Sequence, residues 1–221
     1  MVKGIISGVR KNSLADLAGI NAGERLVSVN GVHVKDIIEL SYCLTDTELD
    51  LELEGNYVNT RMVHISKLPD EDIGLEFDSA VFDRVRLCAN NCKFCFVDQM
   101  IPGMRKGLYV RDDDYRLSFL YGNFVTLTNM VERDYERIIT THMSPLYVSV
   151  HCTDPDRRCE LMQNKFAGDI LAKLQRLIDA GIEVHTQIVC CPDWNDGEIL
   201  AKSFKELYAL HPGVLTMAVV P

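Results

Sequence analysis

Three of the chain's eight cysteines fall within one decapeptide, LCANNCKFCF, as Cys88, Cys92 and Cys95. Thiolates at positions i, i+4 and i+7 can be folded by a single loop toward one point. A closed structural zinc site wants four protein ligands, commonly two short pairs separated by a longer stretch. This stretch is one dense triplet, and no histidine lies between His64 and His142 to supply a local fourth ligand. Three thiolates suit a [4Fe–4S] cluster with one iron left open, as a catalytic metal keeps a free position. Spacing alone puts the iron–sulfur reading first, with zinc and packed or free thiols as standing alternatives.

The other five cysteines are Cys43, Cys152, Cys159, Cys190 and Cys191. The even total would permit disulfides throughout. In a chain this long, whose first residues MVKGIISGVR lack the apolar run of a secretory signal, the pattern reads instead as metal binding plus buried small thiols. No stretch reaches the length of a membrane span. The expectation is a cytoplasmic protein.

The net charge of -9 is uneven. Residues 1–80 carry 7 basic and 14 acidic side chains, whereas residues 81–221 carry 16 and 18. The acidic first part argues against nucleic acid held through broad phosphate contacts, which need a basic face. The second part is nearly balanced and leaves room for a local anion site.

Two rhythms position these groups. Residues 1–66 read as short strands around a short helix. Ser13 is placed as an N-cap before LADL, Asn30-Gly31 as a hairpin turn, and LDLELEG alternates like a half-buried strand. Residues 67–80, with LPDEDIGLEF, read as a linker or packed loop. From 81 to 221 strands and helices alternate: strands at 81–87, 124–128, 146–151, 182–189 and 214–219, helices at 131–140, 166–180 and 198–210. Apolar strands such as LYVSV suit a parallel sheet covered by helices. The predicted class is α/β, a small β-rich domain followed by a unit that could be an open doubly wound sheet; a partial (β/α) barrel fits better once the motifs are weighed.

The run GIISGVRKNSLADLAGINAGERLVSVNGVHV resembles a PDZ domain. That family takes up a peptide as an added strand, so the resemblance implies a peptide or protein partner. It would make residues 3–6 the carboxylate loop, although the usual G-L-G-F signature is absent there.

C-x3-C-x2-C with Phe94 before the last cysteine resembles the signature of radical SAM enzymes. CKFCFVDQM, LYVRDDDYRLSFLYGNFVTLTN, SPLYVSVHCTDP, AGDILAKLQRLIDAGIEVHTQIV and NDGEIL make the whole chain similar to PDZ-plus-radical-SAM iron–sulfur oxidoreductases. The resemblance implies Cys88, Cys92 and Cys95 as ligands of a [4Fe–4S] cluster whose open iron takes S-adenosyl-L-methionine. Reduction would release methionine and a 5'-deoxyadenosyl radical that acts on a substrate. An electron donor such as a flavodoxin or ferredoxin is implied as well. Members of this group run on past residue 221, so the chain is expected to be C-terminally truncated.

Barrel sites gather at the C-terminal ends of strands. That rule nominates Thr128 and Asn129 after the second predicted strand, with N-cap of the next helix as the other role for Asn129. His151, closing LYVSVH, is nominated to line the S-adenosylmethionine or substrate cavity, and Gln187, within EVHTQIV, to contact the S-adenosylmethionine ribose or carboxylate if it points into the barrel; simple hydrogen bonding in the core is the plainer role for both. His185 shares the Gln187 face by period two. In the stretch 105–123, Asp113 and Tyr115 stand as substrate contacts against a salt-bridged turn. Two rivals remain: an iron–sulfur scaffold or electron carrier without SAM chemistry, and a zinc-stabilised binding module.

Overall fold

The hydroxyl of Ser13 accepts the N–H of Asp16 at 3.3 Å, so the first helix starts where the sequence places its cap. This detail comes from a computed structural model, which describes residues 4–55 and 59–221. The chain divides into two units, Met1–Val85 and Arg86–Pro221.

The first unit runs β1 (Ile6–Val9), α1 (Leu14–Leu17), β2 (Arg25–Val29), β3 (Val32–His33), α2 (Ile37–Cys43), β4 (Glu48–Glu54), β5 (Thr60–Ser66) and β6 (Leu75–Phe77). One sheet has the order β3-β2-β4-β5, all antiparallel, and β1 pairs antiparallel with β6. The predicted hairpin at Asn30-Gly31 is present, with both residues at positive φ as its tight turn requires. In β4 the alternation is complete: Leu49, Leu51 and Leu53 are fully buried, while Asp50 and Glu48 are exposed. Each such leucine contributes about 1.5–3 kcal/mol by leaving water. The stretch after β5 returns to this unit, burying Ile73 and laying β6 beside β1. Lys3, in the expected carboxylate loop, lies outside the described residues, as do Tyr57 and Val58 at the start of the strand that the sequence suggests over 57–65. The rest of that loop is already engaged: Ile6 N–H donates to Glu24 O at 2.9 Å, and Gly4 O accepts from Leu26 at 3.0 Å.

The second unit contains a 3-10 turn (Lys106–Tyr109), α3 (Tyr115–Tyr121), α4 (Glu132–Thr140), β7 (Leu146–Ser149), α5 (Pro155–Met162), α6 (Ile170–Asp179), β8 (Val184–Val189), α7 (Gly197–Tyr208) and β9 (Val214–Val220). Its sheet is parallel, in the order β7-β8-β9, and does not close. Leu146, Val148, Val184 and Ile188 are fully buried from the sheet, and Ile170, Leu174 and Leu177 from α6. This is an open, partial (β/α) fold.

Two expected strands are not formed. Residues 81–87 carry only isolated bridges, Asp36 with Val81 and Leu87 with Asp112. Their apolar residues are divided, since Val81 and Phe82 belong to the first unit. Residues 124–128 keep one parallel bridge, Val125 with Val148. Leu127 adopts φ 59°, and the Thr126 N–H turns to the carboxylate of Asp113 at 2.6 Å instead of a strand neighbour. The expected helix at 166–180 begins only at Ile170, leaving Phe166 exposed.

Candidate metal and cofactor site

The cysteine loop is tied down at both ends by backbone bonds. Cys88 N–H donates to Arg111 O at 2.7 Å and Asp113 N–H to Arg86 O at 2.9 Å, an antiparallel contact that fixes the loop's entry. Asn91 and Lys93 donate their N–H groups to Met162 O at 3.0 Å and Leu161 O at 3.1 Å. Those carbonyls end α5 and would otherwise lack partners. Asp154 caps the other end of α5 and Pro155 opens it, so the sequence sets both the helix and the platform for the loop.

Side chains then fasten the loop to the sheet. The ring of Phe94 meets His151 edge-on, 4.5 Å between centroids, and the Lys93 ammonium lies 3.2 Å above the Trp194 ring centre. Asn90, buried between the first two cysteines, donates to Cys88 Sγ at 3.2 Å and Thr126 Oγ1 at 3.0 Å. Thr126 Oγ1 in turn donates to Asp113 Oδ2 at 2.6 Å. Burial pushes the Asp113 carboxyl up from its ordinary value, against the pull of these two Thr126 bonds.

Cys88, Cys92 and Cys95 all line one cavity of about 800 Å³. Its other walls include Ser149, Val189 and Val220, the C-terminal residues or last positions of β7, β8 and β9, together with His151 and Gln187. The site therefore sits at the strand ends, where such a fold places its chemistry. Alternation along β8 puts Gln187 and Val189 on the cavity; His185 shares their face lower down, stacked on Tyr147 at 4.6 Å.

His151 is held in the left-handed region at φ 61° and is nearly inaccessible. Its Nδ1 accepts the Val189 N–H at 3.2 Å, so the neutral ring carries its proton on Nε2. Burial, helped by the Arg158 charge, drives its pKa down to about 3. At neutral pH it is an uncharged donor.

All eight cysteines are free thiols. Burial pushes the Cys92 thiol up to about 12, with Cys88 and Cys95 adding repulsion. Cys88 is also raised by burial, although Asn90 lowers it through a backbone and a side-chain hydrogen bond. Among the described residues no group of three His, Cys, Asp or Glu is drawn closely enough to hold a metal ion as it stands. The donor set nonetheless fits an iron–sulfur cluster in kind: three thiols face one cavity, and their mutual repulsion is what a cationic metal would relieve.

Of the nominated residues, His151 and Gln187 line this cavity together with the three cysteines. Thr128 and Asn129 do not line it. Thr128 Oγ1 donates to Asn90 Oδ1 at 3.1 Å, and Asn129 Nδ2 donates to Asp113 O at 3.0 Å and Leu87 O at 3.3 Å. Asn129 is not the cap of α4, whose N-cap is Val131. Asp113 lines the cavity and Tyr115 does not.

Sequence reasoning passed over Asn90, Thr126 and Arg158. Arg158 is fully buried and donates to four carbonyls: Val150 at 2.8 Å, Ser149 at 2.9 Å, Thr126 at 3.0 Å, and Ala167. It ties two cavity-lining residues, Thr126 and Ser149, to α5, yet an arginine in a polar helix gives no signal of burial. Cys152 is a fully buried small thiol as expected, whereas Cys190 and Cys191 line the cavity.

Residues 67–217 match the family described as the radical SAM-like domain, and residues 5–54 match the PDZ domain. No curated protein matches the chain. The first match spans more than half of the sequence and contains the cysteine loop, β7, β8, the start of β9 and most of the residues that line the cavity. The chain therefore belongs to the radical SAM-like domain family, with a PDZ domain ahead of that domain.

Proposed function

We propose that the chain is an iron–sulfur oxidoreductase that reductively cleaves S-adenosylmethionine to act on a further substrate. The observation that carries this reading is the convergence of Cys88, Cys92 and Cys95 on one cavity at the ends of β7, β8 and β9. Cys88, Cys92 and Cys95 would hold a [4Fe–4S] cluster, which when bound would supply the electron for reductive cleavage of S-adenosylmethionine. His151 offers an uncharged Nε2–H donor to the cavity, and Gln187 a carboxamide able to meet an amino or carboxylate group. Thr128 and Asn129 serve the same site from behind, through Asn90 and through the backbone of Leu87 and Asp113. Phe94, Val189 and Val220 give the cavity apolar walls that exclude water from a reactive intermediate.

The first unit is assigned a peptide or protein partner. Among the described residues β6 pairs on one side only, with β1, and an open strand edge is where a PDZ domain accepts an added strand.

Anaerobic reconstitution with iron and sulfide, followed by reduction in the presence of S-adenosylmethionine, tests the proposal. Methionine and 5'-deoxyadenosine are the expected products. A cluster with no cleavage would leave an electron carrier or scaffold, and stoichiometric zinc without iron would leave a zinc-stabilised module. Either result sinks the proposed activity.

A further inference from the structure

Asn90 lies between two of the three cysteines and is only 3% exposed. Its carboxamide has two N–H donors and one oxygen with two lone pairs, and all are used. Nδ2 donates to Cys88 Sγ at 3.2 Å and to Thr126 Oγ1 at 3.0 Å. Oδ1 accepts from Thr128 Oγ1 at 3.1 Å and from Asn164 Nδ2 at 2.7 Å. The backbone carbonyl accepts from Arg111.

The network dictates which way the amide points. Phe166 N–H donates to Asn164 Oδ1 at 2.9 Å, so Asn164 must turn its Nδ2 toward Asn90. Asn90 therefore presents oxygen to Asn164 and nitrogen to the sulfur. Thr126 gives its own proton to Asp113, which leaves its oxygen free to accept from Asn90. A flipped Asn90 would set donor against donor.

We propose that Asn90 is a positioning residue for Cys88 whose side-chain amide raises the reduction potential of the cluster that this cysteine ligates. This rests on the cluster proposed above. A thiolate that accepts a hydrogen bond donates less electron density to iron, and the reduced cluster, with its extra negative charge, gains most. Removing the donor makes reduction harder.

The test is an EPR-monitored redox titration of the reconstituted full chain and its Asn90→Ala and Asn90→Asp variants. Both variants should shift the midpoint to more negative potential, the carboxylate further because it adds charge beside the sulfur. An unchanged midpoint in a variant with its full complement of iron overturns the proposal. If the variants fail to hold a cluster, wild-type protein labelled with 15N at asparagine side-chain amides decides. Hyperfine coupling of an amide nitrogen to the reduced cluster supports the role, and its absence overturns it. A wild-type chain that takes up no iron overturns both this role and the proposed function, which separates that failure from an unshifted potential.

Discussion

The imidazole of His151 meets the ring of Phe94 edge-on, with 4.5 Å between centroids. One ring follows β7 and the other immediately precedes Cys95, so this contact joins the cysteine loop to the end of the sheet. A double-mutant cycle of Phe94→Leu and His151→Leu, read by urea unfolding, should give a coupling of about 0.5–1.5 kcal/mol. A coupling indistinguishable from zero would mean that the rings merely lie close together.

His151 also sets a pH dependence. Its folded pKa lies near 3, far below the ordinary histidine value, because burial disfavours the charged ring. Between that value and the unfolded pKa of about 6.5 the unfolded chain binds more protons, so stability rises with pH. The contribution is complete above the unfolded value and falls away as the solution is acidified. NMR of the ring nitrogens should show a neutral Nε2–H tautomer throughout pH 5–8. Titration near pH 6.5 would contradict the buried, neutral assignment.

Arg158 is a buried cation that holds the backbone of two cavity-lining residues, Thr126 and Ser149. Replacing it by methionine removes the side-chain donor from the carbonyls of Thr126, Ser149 and Ala167, and one of two donors from that of Val150, at a cost of roughly 3–5 kcal/mol. Arg158→Lys should still lose about 2 kcal/mol, since an ammonium cannot reproduce the guanidinium fork. Denaturation followed by the fluorescence of Trp194, the chain's one tryptophan, reads both variants. Full rescue by lysine would show that charge, not geometry, is what the site needs.

Much of this was legible in the residues themselves. The spacing of Cys88, Cys92 and Cys95 brings them together, and they do line one cavity; Ser13, Asn30-Gly31 and the leucines of β4 follow from capping, turn chemistry and period two. His151, closing a buried strand, and Gln187, pointing inward from one, line the cavity, whereas Thr128 and Asn129, which the strand-end rule nominates, do not. What sequence could not reveal depends on tertiary partners. Residues 81–87 have the composition of a strand but are divided between two units. The Thr126 amide is diverted to Asp113, which prevents a regular second strand. Asn90 reads as a spacer between cysteines until Asn164 and Phe166, more than seventy positions on, fix its orientation.

The most direct measurement of the central claim is the EPR spectrum of the reduced, reconstituted chain before and after S-adenosylmethionine is added. A [4Fe–4S] signal whose g-values move on addition is predicted, and Cys92→Ala should give no such signal. A wild-type signal that S-adenosylmethionine leaves unchanged would contradict an open iron facing the cavity.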